Sequence, residues 1–131
     1  MERIVQSNCE LRILMTNPEV ADLRTKQEER AEGEIPTNIR MNLAYLKRVG
    51  VKRESVRYYY GTPTVFAVAT TDRMLLNPYP YQIEAFRCFS LTIHKTLNPH
   101  EDIFHQYIRH HFQEPWECAM EISLDEWGML E

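Results

Sequence analysis

Two short apolar runs constrain this chain most: residues 65–69, Val-Phe-Ala-Val-Ala, and residues 74–76, Met-Leu-Leu, joined across Thr71-Asp72-Arg73. Runs of this length, bounded by turn residues, read as strands. With a junction this short, the run reads as strand, tight turn, strand. Pro63 in front and Asn77-Pro78 behind mark the limits of the pair.

The rest of the chain is read around that pair. Residues 2–6 look like the last turns of a helix, as expected of a segment drawn from a longer protein or of a chain that has shed its first strand. Residues 10–16 alternate and then run apolar, a strand ended by Asn17-Pro18. Residues 19–36 are polar and charged and read as an exposed loop. Thr37 is the expected N-cap of a helix over residues 38–48, with Ile39, Leu43, Leu46 and Val49 on one stripe and Gly50 as the stop. Residues 51–60 predict a strand with Val56, Tyr58 and Tyr60 on one face and Arg57 and Tyr59 on the other. Residues 77–81 are a loop by composition, and alternation over residues 86–94 predicts another strand. A helix from about residue 101 carries Ile103, Phe104, Tyr107, Ile108, His111, Phe112 and Trp116, and Pro115 should kink or end it. Residues 122–131 form an acidic tail that docks through Leu124 and Trp127. The order predicts a single mixed α/β domain over residues 1–131, with helices packed on a central sheet.

Composition narrows the class. Hydrophobic residues make up 44% and charged residues 26% of the 131, the ordinary balance of a soluble globular domain. A net charge of −4 argues against direct nucleic-acid binding. No run approaches the roughly 20 apolar residues that a membrane span needs, and no leader pattern is visible, so a cytoplasmic protein is expected. Cys9, Cys88 and Cys118 have no metal-like spacing and read as buried thiols in a reducing compartment. Charge is uneven. Arg40, Lys47, Arg48, Lys52, Arg53 and Arg57 face a single acid, Glu54, across residues 40–57. Residues 114–131 hold six acids and no base. Two solvated surfaces, a basic face for phosphate or an acidic partner, or a pairing of the two segments within the chain or across a dimer all fit this pattern.

Three stretches resemble the phospholipase D superfamily: Leu11-Arg-Ile-Leu-Met-Thr-Asn-Pro18, the strand pair over residues 65–77, and the helix whose end reads His111-Phe-x-x-x-Trp116-Glu117. There the motif strand carries His-x-Lys-x-x-x-x-Asp. Here Val65 stands at the His position, Ala67 at the Lys position, and Asp72 keeps its place. The chain is especially similar to phospholipase D-like domains of bacterial regulators, often appended to a DNA-binding domain. The resemblance implies one half of that fold, a degenerate catalytic centre, no cofactor, and a homodimer or an intramolecular partner domain. It also implies a regulatory, ligand-sensing role, with a phosphorylated small molecule as the ligand class. In active members the His attacks phosphorus and the Lys holds phosphate oxygens. Losing both costs about 10⁴–10⁶ in rate.

Other chemistry is thin. His94-Lys95 is adjacent rather than spaced by one, and a nuclease or phosphodiesterase with a relocated site would need His94, Lys95 and His105 to converge. His105, His110 and His111 lack the spacing of three or four that a helical metal pair needs, and His111 falls on the apolar stripe, where a core histidine is expected. There is neither a glycine-rich phosphate loop nor a nucleophile elbow. If a pocket exists, strand parity offers Arg57, Tyr59 and Arg87 as its polar groups, with Asp72, His94 and Lys95 as further ligand-binding candidates. A pure interaction module working through the acidic tail and Trp127 is the third expectation, one in which residues 122–131 are dispensable for the fold.

Overall fold

The computed structural model describes residues 1–21, 25, 33–61, 65–78, 87–96 and 102–131. Helix α1 (Glu2–Gln6) leads to strand β1 (Ile13–Thr16). Asn17 ends the strand: its side chain accepts from the Glu19 amide at 2.8 Å and opens a 3-10 turn, Pro18–Val20. Proline suits that first position, where its missing N–H would have no partner.

Helix α2 spans Glu34–Arg48, one turn earlier than sequence alone predicts, with Gly33 at φ +74° as N-cap and Thr37 already inside the helix. The reason lies in the stripe. Ile35 continues the line of Ile39, Leu43 and Leu46, and all four are buried, while Pro36 is tolerated in the first turn. The expected exposed loop over residues 19–36 is thus partly core, since Ala21, Thr25, Ile35 and Pro36 are buried. Residues 22–24 and 26–32 of it lie outside the described residues. Gly50 closes α2 as expected, at φ +90°, and the Val51 amide bonds back to the Leu46 carbonyl at 3.0 Å.

A 3-10 turn (Arg53–Ser55) precedes strand β2 (Val56–Tyr59), so the predicted strand over residues 51–60 is shorter at both ends. Its faces follow the period of two: Val56 and Tyr58 are buried, Arg57 and Tyr59 half-buried. β2 runs parallel to β1, with Ile13 beside Val56 and Thr16 beside Tyr59. The α2 crossover supplies the long connection a parallel pair requires.

The strand pair forms as the turn dictates. β3 (Val65–Ala69) and β4 (Arg73–Pro78) are antiparallel, with Val65 beside Pro78 and Ala69 beside Met74. β5 (Leu91–His94) adds to β4, with Arg73 beside His94 and Leu76 beside Leu91. The strand predicted from residue 86 therefore begins at Leu91. Its first expected residue, Phe86, lies outside the described residues, and residues 87–90 are not strand.

Asp102 opens the next helix, accepting from the His105 amide at 3.2 Å. Helix α3 (Ile103–Ile108) passes through a π-helical turn (Arg109–Gln113) into α4 (Glu114–Cys118). Pro115 has no N–H for the His111 carbonyl and its ring crowds that oxygen. The widened turn just ahead absorbs the misfit, so the helix neither stops at Pro115 nor breaks there. Strand β6 (Met120–Glu121) then pairs antiparallel with β2, and helix α5 (Leu124–Met129) follows.

The fold is mixed α/β. In place of one central sheet, the described strands form two three-stranded sheets, β1-β2-β6 and β3-β4-β5. Each has its own core. The first joins α2 to Val51, Val56, Tyr58 and Ile122, with Trp127 and Leu130 packed at its edge. The second joins Met74 and Leu76 to Phe104, flanked by Val65, Ile93, Tyr107 and Ile108. Residues 122–131 are thus not a free acidic tail. Ile122 is fully buried and Trp127 docks, whereas Leu124, expected to dock, is 74% exposed. Cys9 and Cys118 are exposed and Cys88 half-buried, against the expectation of three buried thiols: Cys9 and Cys88 lie outside the helices and strands, and Cys118 ends α4. Among the described residues no helix is long and apolar enough to cross a membrane.

Candidate interaction surface

The six residues singled out as ligand-binding candidates fall in three separate places. Arg57 and Tyr59 share the face of β2 turned away from α2. There Arg57 is occupied by the protein itself. Its guanidinium lies 4.6 Å from the Trp116 ring centroid, Nη1 donates to the Trp116 carbonyl at 2.8 Å, and Nη2 sits 3.8 Å from Glu121 Oε1. Arg53 works beside it, donating to the Ile122 carbonyl at 2.7 Å and pairing with Glu121 at 3.6 Å. These contacts clamp β6 and α4 to β2, so Arg57 is a structural cation rather than a pocket group. Strand alternation places it correctly on the non-core face; the helix that covers that face comes from 59 residues away. Tyr107, from α3, has a buried hydroxyl with no hydrogen-bond partner among the described residues. Burial, then the neighbouring Tyr59, raises its pKa above the ordinary tyrosine value.

Asp72, His94 and Lys95 do come together, at the β3–β4 turn. The Lys95 amide donates to the Asp72 carbonyl at 2.8 Å, and the register sets Arg73 beside His94. Asp72 also holds the turn itself, accepting from the Thr70 hydroxyl at 3.0 Å while the Thr70 amide bonds to the Arg73 carbonyl at 2.9 Å. Its ion pair with Arg73, at 3.6 Å, joins two side chains more than 60% exposed and contributes little to stability. Arg87 is exposed and lies toward the opposite end of this sheet, where the Asn77 amide nitrogen donates to the Phe89 carbonyl at 3.1 Å.

The histidines do not form a centre. His105 pairs with the buried Asp102 at 3.2 Å, and His110 with Glu114 at 3.2 Å. His111, expected in the core, is exposed and stacks on Tyr107 with centroids 4.3 Å apart. Helical period alone puts it on the buried stripe; the π-helical turn shifts the residues after Ile108 around the axis. Ile103, Gln106, Tyr107, His110 and His111 line an open groove of about 240 Å³. Among the described residues no three metal-ligating side chains converge. His94 faces outward with Arg73, whereas α3 packs on the inner face through Phe104, so His94 and His105 stand on opposite sides of the β3-β4-β5 sheet.

That sheet also carries a feature absent from the six candidates. Cross-strand partners share a face. Val65, Met74, Leu76 and Ile93 point inward to the second core. Phe66, Val68 and Leu75 point outward, and are 50%, 51% and 40% exposed. A strand apolar on both faces reads as one covered on both. Here α3 covers the inner face at Val65, Met74 and Leu76 while Ala67 and Ala69 stay exposed, and the outer face stands open among the described residues. The signal lies in the unbroken Val-Phe-Ala-Val-Ala run, which marks a strand and, by lacking polar alternation, also calls for a cover on its second face.

No protein-family model, curated protein or solved structure matches this chain.

Proposed function

We propose that the chain is a non-catalytic, phospholipase D-like regulatory domain that acts by association, and that the outer face of the β3-β4-β5 sheet is its contact surface in a homodimer. The observation that carries this reading is the half-exposed apolar patch of Phe66, Val68 and Leu75, which spans β3 and β4 on the face opposite the buried Met74 and Leu76. The positions at which the resemblance expects a nucleophile and a phosphate-binding Lys hold Val65 and Ala67, which neither attack nor carry charge. Separation of His94 from His105 by the sheet speaks against a relocated phosphodiesterase site. Arg57 is committed to Trp116 and Glu121, so a phosphorylated ligand would meet Arg73, His94 and Lys95 at the sheet's end instead.

Light scattering on the full chain tests the reading. The protein should be dimeric at micromolar concentration, and Val68→Lys should make it monomeric without unfolding it. Leu124→Lys, exposed elsewhere, should leave the dimer intact. A monomeric parent protein sinks the proposal.

A further inference from the structure

Up to Ile122 the C-terminal segment belongs to the body of the fold. Met120 and Glu121 pair with β2, Arg53 donates to the Ile122 carbonyl, and the Ile122 side chain is fully buried. Beyond that point the footing changes. Ser123 is extended, at φ −62° and ψ 152°, and turns the chain into α5, a helix of six residues with no buried side chain. Leu124 and Met129 are about three-quarters exposed, and it is Trp127 and Leu130 that lean on the edge of the first core. So short a helix does not hold itself in water.

Its tethers are polar. Lys47 Nζ donates to the Trp127 carbonyl at 2.8 Å and the Leu130 carbonyl at 2.9 Å, with the Gly128 carbonyl at 3.5 Å. Glu126 accepts from the Tyr58 hydroxyl at 2.6 Å. Lys47 sits in the last turn of α2, and its ammonium meets the carbonyl end of α5, the electrostatically favoured place for a cation.

We propose that residues 123–131 form a latch that opens and shuts as one unit while α2 and the β1-β2-β6 sheet stay folded, with Lys47 as the group that keeps it shut. Opening withdraws Trp127 and Leu130, releases the Tyr58 hydroxyl and uncovers the apolar strip beside α2 that they occupy. The latch thus acts as an internal occupant of that strip. A segment with few buried apolar contacts and solvent-facing hydrogen bonds is of the kind that opens locally, well below the cost of global unfolding.

Hydrogen–deuterium exchange on the full chain, with Lys47→Met and Lys47→Arg beside the parent, decides it. In the parent, amides of residues 124–131 should exchange at least about tenfold faster than those at the centre of α2. Lys47→Met should accelerate residues 124–131 by about a further tenfold, the scale of a lost charged hydrogen-bond donor, and leave α2 unchanged. Lys47→Arg, which keeps the charge and the donors, should stay close to the parent. Exchange of residues 124–131 and α2 in step, or acceleration of both alike by Lys47→Met, overturns the proposal.

Discussion

The guanidinium of Arg57 stacks on the ring of Trp116 and hydrogen-bonds the backbone carbonyl of the same residue, at 4.6 Å and 2.8 Å respectively. One side chain therefore ties the β1-β2-β6 sheet to α4. Part of the uneven charge of the sequence is used inside the fold: Arg53 and Arg57 meet Glu121, and Lys47 caps the C-terminal helix.

Arg57→Ala should lower unfolding free energy by about 2 kcal/mol in urea titration, through lost cation–π stacking and a lost charged hydrogen bond. Arg57→Lys should recover less than half of this, because an ammonium cannot stack flat on the ring and reach the carbonyl as well. The Glu121 pair, on a half-exposed carboxylate, adds under about 1 kcal/mol.

Ile122→Ala should cost about 3 kcal/mol, since the side chain is fully buried and its loss leaves a cavity. Leu124→Ala, two residues on and 74% exposed, should stay within about 0.5 kcal/mol. Equal effects in thermal melts would mean that the C-terminal segment is not packed as described.

Tyr58 sets an alkaline limit. Burial first, then its hydrogen bond to Glu126 and the charge of that carboxylate, raise the phenol above its ordinary pKa of 10.0, with Arg40 acting in the opposite direction. Below that value the phenol is protonated both folded and unfolded, and its stabilising contribution is fully present. As pH climbs past about 10 the unfolded chain ionises first, so stability falls. Melting temperatures followed from about pH 9 to 11 should drop more steeply for the parent than for Tyr58→Phe. Some slope should persist in the variant, because the Tyr107 pKa is raised too.

Gly50→Ala should cost about 1–2 kcal/mol, because φ +90° is a conformation that a Cβ penalises. The added carbon would lie 3.4 Å from Val5 Cγ1, so the loss is one of backbone strain more than of crowding.

Local devices are legible in the sequence. Asn17-Pro18 stops β1, Gly50 stops α2, and Thr71-Asp72-Arg73 folds β4 back on β3, because each depends on residues within a few positions of itself. The mixed α/β class follows from their order. Long-range partners are not legible. Arg57 reads as a free polar group because nothing near it in sequence reveals Trp116, and His111 reads as buried because a regular helical period ignores the π-helical turn.

What the sequence determined by itself was the succession of elements and which residues of β2 face which way, since periods of two and 3.6 are properties of the backbone alone. Tertiary structure decided the division of the strands into two sheets, the conversion of an acidic tail into a docked helix, and the exposure of Phe66 and Val68. Each of these depends on which distant surface a face meets. That is settled by burial and by charge pairing between segments dozens of residues apart, and no local pattern encodes it.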